Sequence, residues 1–214
     1  MISGKIKEYI FTTCILILIL ILIFFGTDHY MASQVPKGKH FWMPALPWDD
    51  KIPLLSGWIW IYLLYFPLCF LPITWKEIWG NIIFFQKTVW GYAIISLAAN
   101  FIFWIFPSRI LRPSVPSFDL TGQLMLLTYT VDPGFNVFPS LHVALIAYVA
   151  CLAWRASKKS LSMLIWIFCF LVALSTLFVR QHYILDLPAG FLLGIAGYFL
   201  IFKVPFINYN LKKI

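Results

Sequence analysis

Charge is what this sequence has least of. Only 11% of its 214 residues are charged, against about 25% in a typical soluble domain. With 62% hydrophobic and 19% aromatic residues, that scarcity excludes an ordinary soluble domain and leaves an integral membrane protein. Carboxylates are scarcer than cations, 8 against 16, for a net charge of +8. The acidic residues do not cluster: Asp119 and Asp132 are thirteen residues apart in a loop and offer no obvious magnesium site. The chemistry is therefore expected to need neither metal nor cofactor. No basic patch sits on the soluble scaffold that nucleic-acid recognition requires, so no nucleic-acid partner is expected. Cys14, Cys69, Cys151 and Cys169 lack CxxC spacing and nearby histidines. That excludes a disulfide framework or zinc site and leaves small buried apolar side chains. No A-x-A cleavage site follows the first apolar run, 9–25, which is read as an uncleaved helix rather than a signal peptide.

What is present is a series of long apolar runs, at 9–25, 52–73, 88–106, 141–154, 161–178 and 184–202, each bounded by charge, proline or glycine. They predict an all-α fold, a polytopic six-helix transmembrane bundle forming one domain over 1–214, whose fourth helix is short. The stretch 26–51, with Pro36, Pro44, Pro47, Trp42 and Trp48, reads as an irregular interfacial loop able to cover a site. Lysine and arginine set the orientation. With both termini cytoplasmic, that side collects Lys5, Lys7, Lys76, Lys87, Arg155, Lys158, Lys159, Lys203, Lys212 and Lys213 against Glu8 and Glu77, and holds the whole +8. The other side is balanced, and all four histidines, His29, His40, His142 and His182, fall there.

Titratable residues within apolar sequence are costly, about 2.5–3.5 kcal/mol each at a bilayer centre, and so point to working sites. In 175–190, S-T-L-F-V-R-Q-H-Y-I-L-D-L-P-A-G, they are Arg180, His182 and Asp186. His182 and Asp186, four apart, share a helical face. The carboxylate can take the Nδ1 proton and leave Nε2 free as nucleophile or base; the plainer reading is an ion pair at a helix end. F-P-S-L-H, 138–142, places Ser140 as an N-cap with His142 in the first turn, where backbone N–H groups suit an anion; alternatively Ser140 only caps and His142 is interfacial. F-P-S-R-I-L-R-P, 106–113, adds Arg109 and Arg112, whose forked guanidinium groups fit phosphate oxygens or lipid headgroups.

These three blocks, in this order, resemble the signature motifs of the type 2 phosphatidic acid phosphatase superfamily, and in detail its branch containing inositol phosphorylceramide synthase. The likeness covers about 106–194, with F-P-S-L-H and Q-H-Y-x-x-D as its most specific parts. It implies that His182 is the nucleophile forming a phosphohistidine, Asp186 its orienting partner, and His142 the acid protonating the departing alkoxide. Arg112 and Ser140 would bind phosphate oxygens. The chain departs from the family pattern twice. Ile105 stands where the first motif has lysine, so that either Arg109 takes that place or the contact is absent. Ser175-Thr176 stands where the third has Ser-Arg, leaving Arg180 as the substitute.

Gly190, Gly194 and Gly197, with Ala189 and Ala196, have small-x3-small spacing for close helix packing. An apolar patch at 120–129 in the loop 114–137 suits a short interfacial helix, as substrate gate or plain anchor. The leading functional reading is a membrane-embedded lipid phosphate phosphatase with an extracytoplasmic site, in a plasma membrane such as a bacterial inner membrane. The runner-up is a phosphotransferase giving the group to an alcohol. A bis-histidine haem protein with His142 and His182 as axial ligands is a third class, which leaves the arginines and Asp186 without a role.

Overall fold

A computed structural model of the chain describes residues 4–115 and 118–203. Its regular structure is helical, and among the described residues the only strand-like pairings are two isolated bridges, Trp42 with Ser108 and Arg109 with Phe135. Lys212 and Lys213, which entered the charge split, lie outside the described residues.

The helices in chain order are α1 (Gly4–Gln34), α2 (Ile59–Leu63), α3 (Tyr65–Phe70), α4 (Lys76–Gly80), α5 (Ile82–Ile105), α6 (Leu120–Val131), α7 (Leu141–Arg155), α8 (Lys159–Phe178) and α9 (Asp186–Lys203). Five helical segments are long and apolar enough to cross a membrane: Thr13–Lys37, Ser56–Thr74, Ile82–Ile105, Lys159–Phe178 and Asp186–Lys203. The expected sixth, α7, has 15 residues, about 22 Å at 1.5 Å per residue, short of the roughly 30 Å of a hydrocarbon core.

Three expectations need correction. The loop thought to start at Gly26 starts later, because α1 runs on to Gln34. In an apolar setting the helix satisfies its own backbone groups, which outweighs one glycine. The second apolar run is a broken helix. Pro67 cannot donate to the Leu63 carbonyl, where α2 stops, and Pro72 opens the 3-10 turn Leu71–Thr74. The cysteines also differ in place: Cys169 is buried, Cys69 and Cys151 are half-buried and Cys14 is exposed on α1. Apolar side chains gain nothing by turning inward where the surrounding medium is itself apolar.

α7 is the hub. Every residue from His142 to Ala150 is buried, against α8 and α9 above all, then α5 and α3. Its Tyr148 hydroxyl, 3.1 Å from the Lys87 and Thr88 carbonyls, ties it to α5. Because α8 returns the chain, α7 and α9 start at the same end of the bundle, and the Ser140 N–H donates to the Asp186 carbonyl at 3.1 Å. The glycines of α9 permit this approach. A Cβ on Gly190 would meet the Ser140 carbonyl oxygen at 2.4 Å, one on Gly194 the Ala144 oxygen at 2.2 Å, and one on Gly197 the Ile95 side chain at 2.4 Å. Backbone cannot swing aside as a side chain can. Gly194→Ala is therefore expected to cost about 1–3 kcal/mol, as overpacking does, and to lower the melting temperature in detergent while reducing activity. An unchanged melt would show that α7 and α9 tolerate wider separation.

Candidate active site

Three capped or turned segments deliver the polar side chains to the common end of α7 and α9. Ser140 caps α7, its Oγ accepting from the Val143 N–H at 3.4 Å, which puts His142 in the first turn. After α8, Arg180 adopts φ 53°, the left-handed turn common just past a helix end and uncommon for a non-glycine residue. That turn brings the Gln181 and His182 N–H groups onto the Thr176 carbonyl, at 2.8 and 3.1 Å, and lifts His182 back over the bundle. Asp186 then opens α9, its Oδ2 accepting from the Tyr183 N–H at 2.8 Å.

The result is a buried chain of polar contacts. Asp186 Oδ2 lies 3.2 Å from His182 Nδ1, His182 Nε2 lies 3.0 Å from His142 Nδ1, and His142 Nε2 lies 2.9 Å from the Tyr62 hydroxyl. His142 and His182 are 9% and 5% exposed, Ser140 and Asp186 not at all. All four ring nitrogens are thus engaged within the protein. A bis-histidine haem site would leave Asp186, buried against His182 Nδ1, and Arg112 beside it without a role.

Arg112 stands beside this chain, stacked 4.5 Å over the Tyr129 ring. It pairs with Asp132 Oδ1 at 3.1 Å and donates to the Asp132 carbonyl and Gln181 Oε1. The other two arginines lie elsewhere. Arg180 donates to the Asp49 and Ile52 carbonyls, at 2.9 and 2.5 Å, and straps the loop before α2 onto the site. Asp49 Oδ1 completes the strap by accepting from the Ile184 N–H at 2.8 Å. Arg109 is held by its backbone between Trp42 and Phe135. Its Nε is buried without a hydrogen-bond partner, as is Gln181 Nε2. Buried donors left unmet are costly, and an anionic ligand is one way of meeting them. Asp119 caps α6 through its contact with the Gly122 N–H at 2.8 Å, and among the described residues no three His, Cys, Asp or Glu converge as metal ligands. A cavity of about 660 Å³ lies at the opposite end of the bundle, lined by Lys76, Lys87, Arg155 and Phe202, away from the histidines.

The model of the PAP2 superfamily matches residues 41–200. The chain belongs to that superfamily. No curated protein and no solved structure matches it. PAP2 membership fits a lipid phosphatase or phosphotransferase in a membrane, and the paired imidazoles lie inside the matched region. Two further residues of this candidate site escape a reading by motif. Gln181 stands inside Q-H-Y-x-x-D, yet only its contact with Arg112 gives it a role. Tyr62 stands in the run I-W-I-Y-L-L-Y-F, where nothing separates it from an interfacial aromatic.

His182 lies between α8 and α9, and burial pushes its imidazole down from its ordinary value to about 4, with the Asp132 carboxylate working the other way. Between roughly 4 and the solvated value of about 6.5 the folded ring is neutral while the unfolded ring binds a proton. Stability from this group is therefore present above that window and lost as pH falls through it. A neutral ring is also the form a nucleophile needs. On an aryl phosphate, kcat/KM corrected for substrate ionisation is expected to hold below pH 6 and to fall only toward pH 4. Half-loss near pH 6.5 would mean a solvated imidazole.

Proposed function

We propose that the chain is a metal-independent lipid phosphate phosphatase working through a phosphohistidine. The observation that carries this reading is the hydrogen-bonded order Asp186, His182, His142, with Arg112 alongside. Asp186 holds the proton on His182 Nδ1, so the Nε2 lone pair attacks phosphorus. The phosphorus–oxygen bond to the lipid breaks and the departing oxygen takes a proton from His142. Water then attacks the phosphohistidine, its proton passing to His142, and the nitrogen–phosphorus bond breaks, releasing phosphate and returning the lone pair to His182 Nε2. Arg112, released from Asp132, and the first turn of α7 at Ser140 stabilise charge on the phosphoryl oxygens. Arg180 serves by fastening the loop at Asp49. A lipid substrate suits a site carried by a helix shorter than the hydrocarbon thickness.

The second reading, transfer to an alcohol instead of water, is favoured by F-P-S-L-H and Q-H-Y-x-x-D, the blocks resembling inositol phosphorylceramide synthase. One experiment tests both. The protein is incubated with a panel of lipid phosphates in excess chelator, with and without alcohols, scoring free phosphate against the phosphate ester of the added alcohol. Free phosphate in chelator is the expected result; a new phosphate ester of the alcohol instead identifies the transferase, and activity only after magnesium is restored overturns the metal-free mechanism.

The site is assigned to the extracytoplasmic face, with both termini cytoplasmic, on the charge asymmetry of the two faces. A cysteine introduced at Asp119 is expected to react with an impermeant reagent in intact cells. Labelling confined to permeabilised cells would invert the topology.

A further inference from the structure

We propose that Tyr62 is a positioning residue that fixes the tautomer of His142, a role resting on the reading of His142 as the acid. With Asp186 ionised, as the proposed nucleophile at His182 requires, the hydrogen-bond chain has one consistent direction. Asp186 Oδ2 has no proton to give as a carboxylate, so His182 Nδ1, 3.2 Å away, carries one and His182 Nε2 bears a lone pair. The atom facing that lone pair at 3.0 Å is His142 Nδ1, which must therefore be N–H. The other tautomer would set two lone pairs against each other. His142 Nε2 is then an acceptor, and the group 2.9 Å from it is the Tyr62 hydroxyl, which donates.

Tyr62 is suited to hold this arrangement. It is 3% exposed, packed with Ile59, Met125 and Val179, so its hydroxyl has little competition from water. A hydroxyl also serves both states of its neighbour: it donates to the neutral ring, and it rotates to accept from Nε2–H when a proton brought in with the phosphate monoester makes the ring the imidazolium, which gives its Nδ1 proton to the departing oxygen and is left as the neutral Nε2–H form. The Tyr65 ring packs on His142 with 4.6 Å between centroids, giving a steric wall but no hydrogen bond to Nε2. Without the Tyr62 hydroxyl, Nε2 becomes a buried acceptor with no donor, and the ring gains by moving its proton there. The proton would then point at the wall of the site, away from the reaction centre.

The test uses the full chain in detergent or nanodiscs, comparing Tyr62→Phe with wild type. Ring ¹⁵N spectra of histidine-labelled protein are expected to show His142 as the Nδ1–H form in wild type and wholly or partly as the Nε2–H form in the variant. Turnover of a lipid alkyl phosphate is expected to fall about tenfold or more in kcat, a part of the 10²–10⁴ that general acids contribute, with KM unchanged. Turnover of nitrophenyl phosphate, whose leaving group needs little protonation, is expected to stay within about twofold. A His142 ring that keeps its tautomer in Tyr62→Phe overturns the proposal whatever the rates do, and so does equal loss on both substrates. His142→Ala, run beside it, isolates the underlying reading: equal losses there would remove His142 from the role of acid, while the spectra would still decide what Tyr62 does to the ring.

Discussion

Replacing His182 with alanine is expected to abolish turnover of every phosphate ester, good leaving group or poor, by at least about 10⁴-fold, the scale on which loss of a covalent nucleophile is felt. The reason is geometric. His182 Nε2 is the lone pair left once Asp186 has claimed the Nδ1 proton, and the side chain beside it, His142, presents N–H and not a lone pair. No neighbouring group can take over the attack. Labelled substrate followed by an alkaline quench should leave acid-labile phosphate on wild type and none on His182→Ala. Asp186→Asn should follow more weakly. An amide that keeps its carbonyl oxygen where Oδ2 now lies still accepts from both the Nδ1–H and the Tyr183 N–H, but it lacks the charge that steadies the ring as it is phosphorylated. Turnover by His182→Ala within tenfold of wild type, or label surviving on it, would move the nucleophile elsewhere.

The site was legible in sequence where polar residues interrupt apolar runs. Ser140, His142, His182 and Asp186 are conspicuous in this way, and their spacing relative to helix starts says which atoms point inward. The partners of those residues were not legible, because they come from distant sequence. Tyr62 is 80 residues from His142 and hidden among other aromatics. Asp132 is 20 residues from Arg112, and pairing two charges across a loop leaves no trace in either one's surroundings. The arginines show the limit most plainly. The sequence supplies guanidinium groups near a phosphate motif, but a buried guanidinium must be hydrogen-bonded in the free protein too. Arg112 is therefore already occupied by Asp132 and Gln181, and phosphate has to displace a carboxylate to reach it. Arg180 is spent on the carbonyls at Asp49 and Ile52, a use that no motif encodes. Of the helices, α7, α8 and α9 begin and end close to their apolar runs, whereas α1 and α5 reach well beyond theirs. The second run is long and apolar enough to cross as one span, Ser56–Thr74, and Pro67 and Pro72 mark in the sequence where its helix breaks.

His142→Ala is expected to separate substrates by their leaving groups. In-line transfer needs the nucleophile about 3–3.5 Å from phosphorus at the outset and the acid within hydrogen-bond reach, about 2.6–3.2 Å, of the departing oxygen. The two ring nitrogens are 3.0 Å apart in the free protein, so substrate must part them and take the place of their mutual hydrogen bond. When it does, the Nδ1 proton that pointed at His182 points at whatever lies between, which is the leaving oxygen. A lipid alkoxide is a strong base and leaves poorly unless protonated, so His142→Ala should slow its release by roughly 10²–10⁴-fold. Nitrophenolate leaves without that help and should retain most of its rate. Steady-state turnover of both esters by wild type, His142→Ala and His182→Ala reads the difference directly, with the ratio of alkyl to aryl activity collapsing only in His142→Ala. Equal losses on both esters would mean that His142 holds the phosphoryl oxygens and that the departing group finds its proton elsewhere.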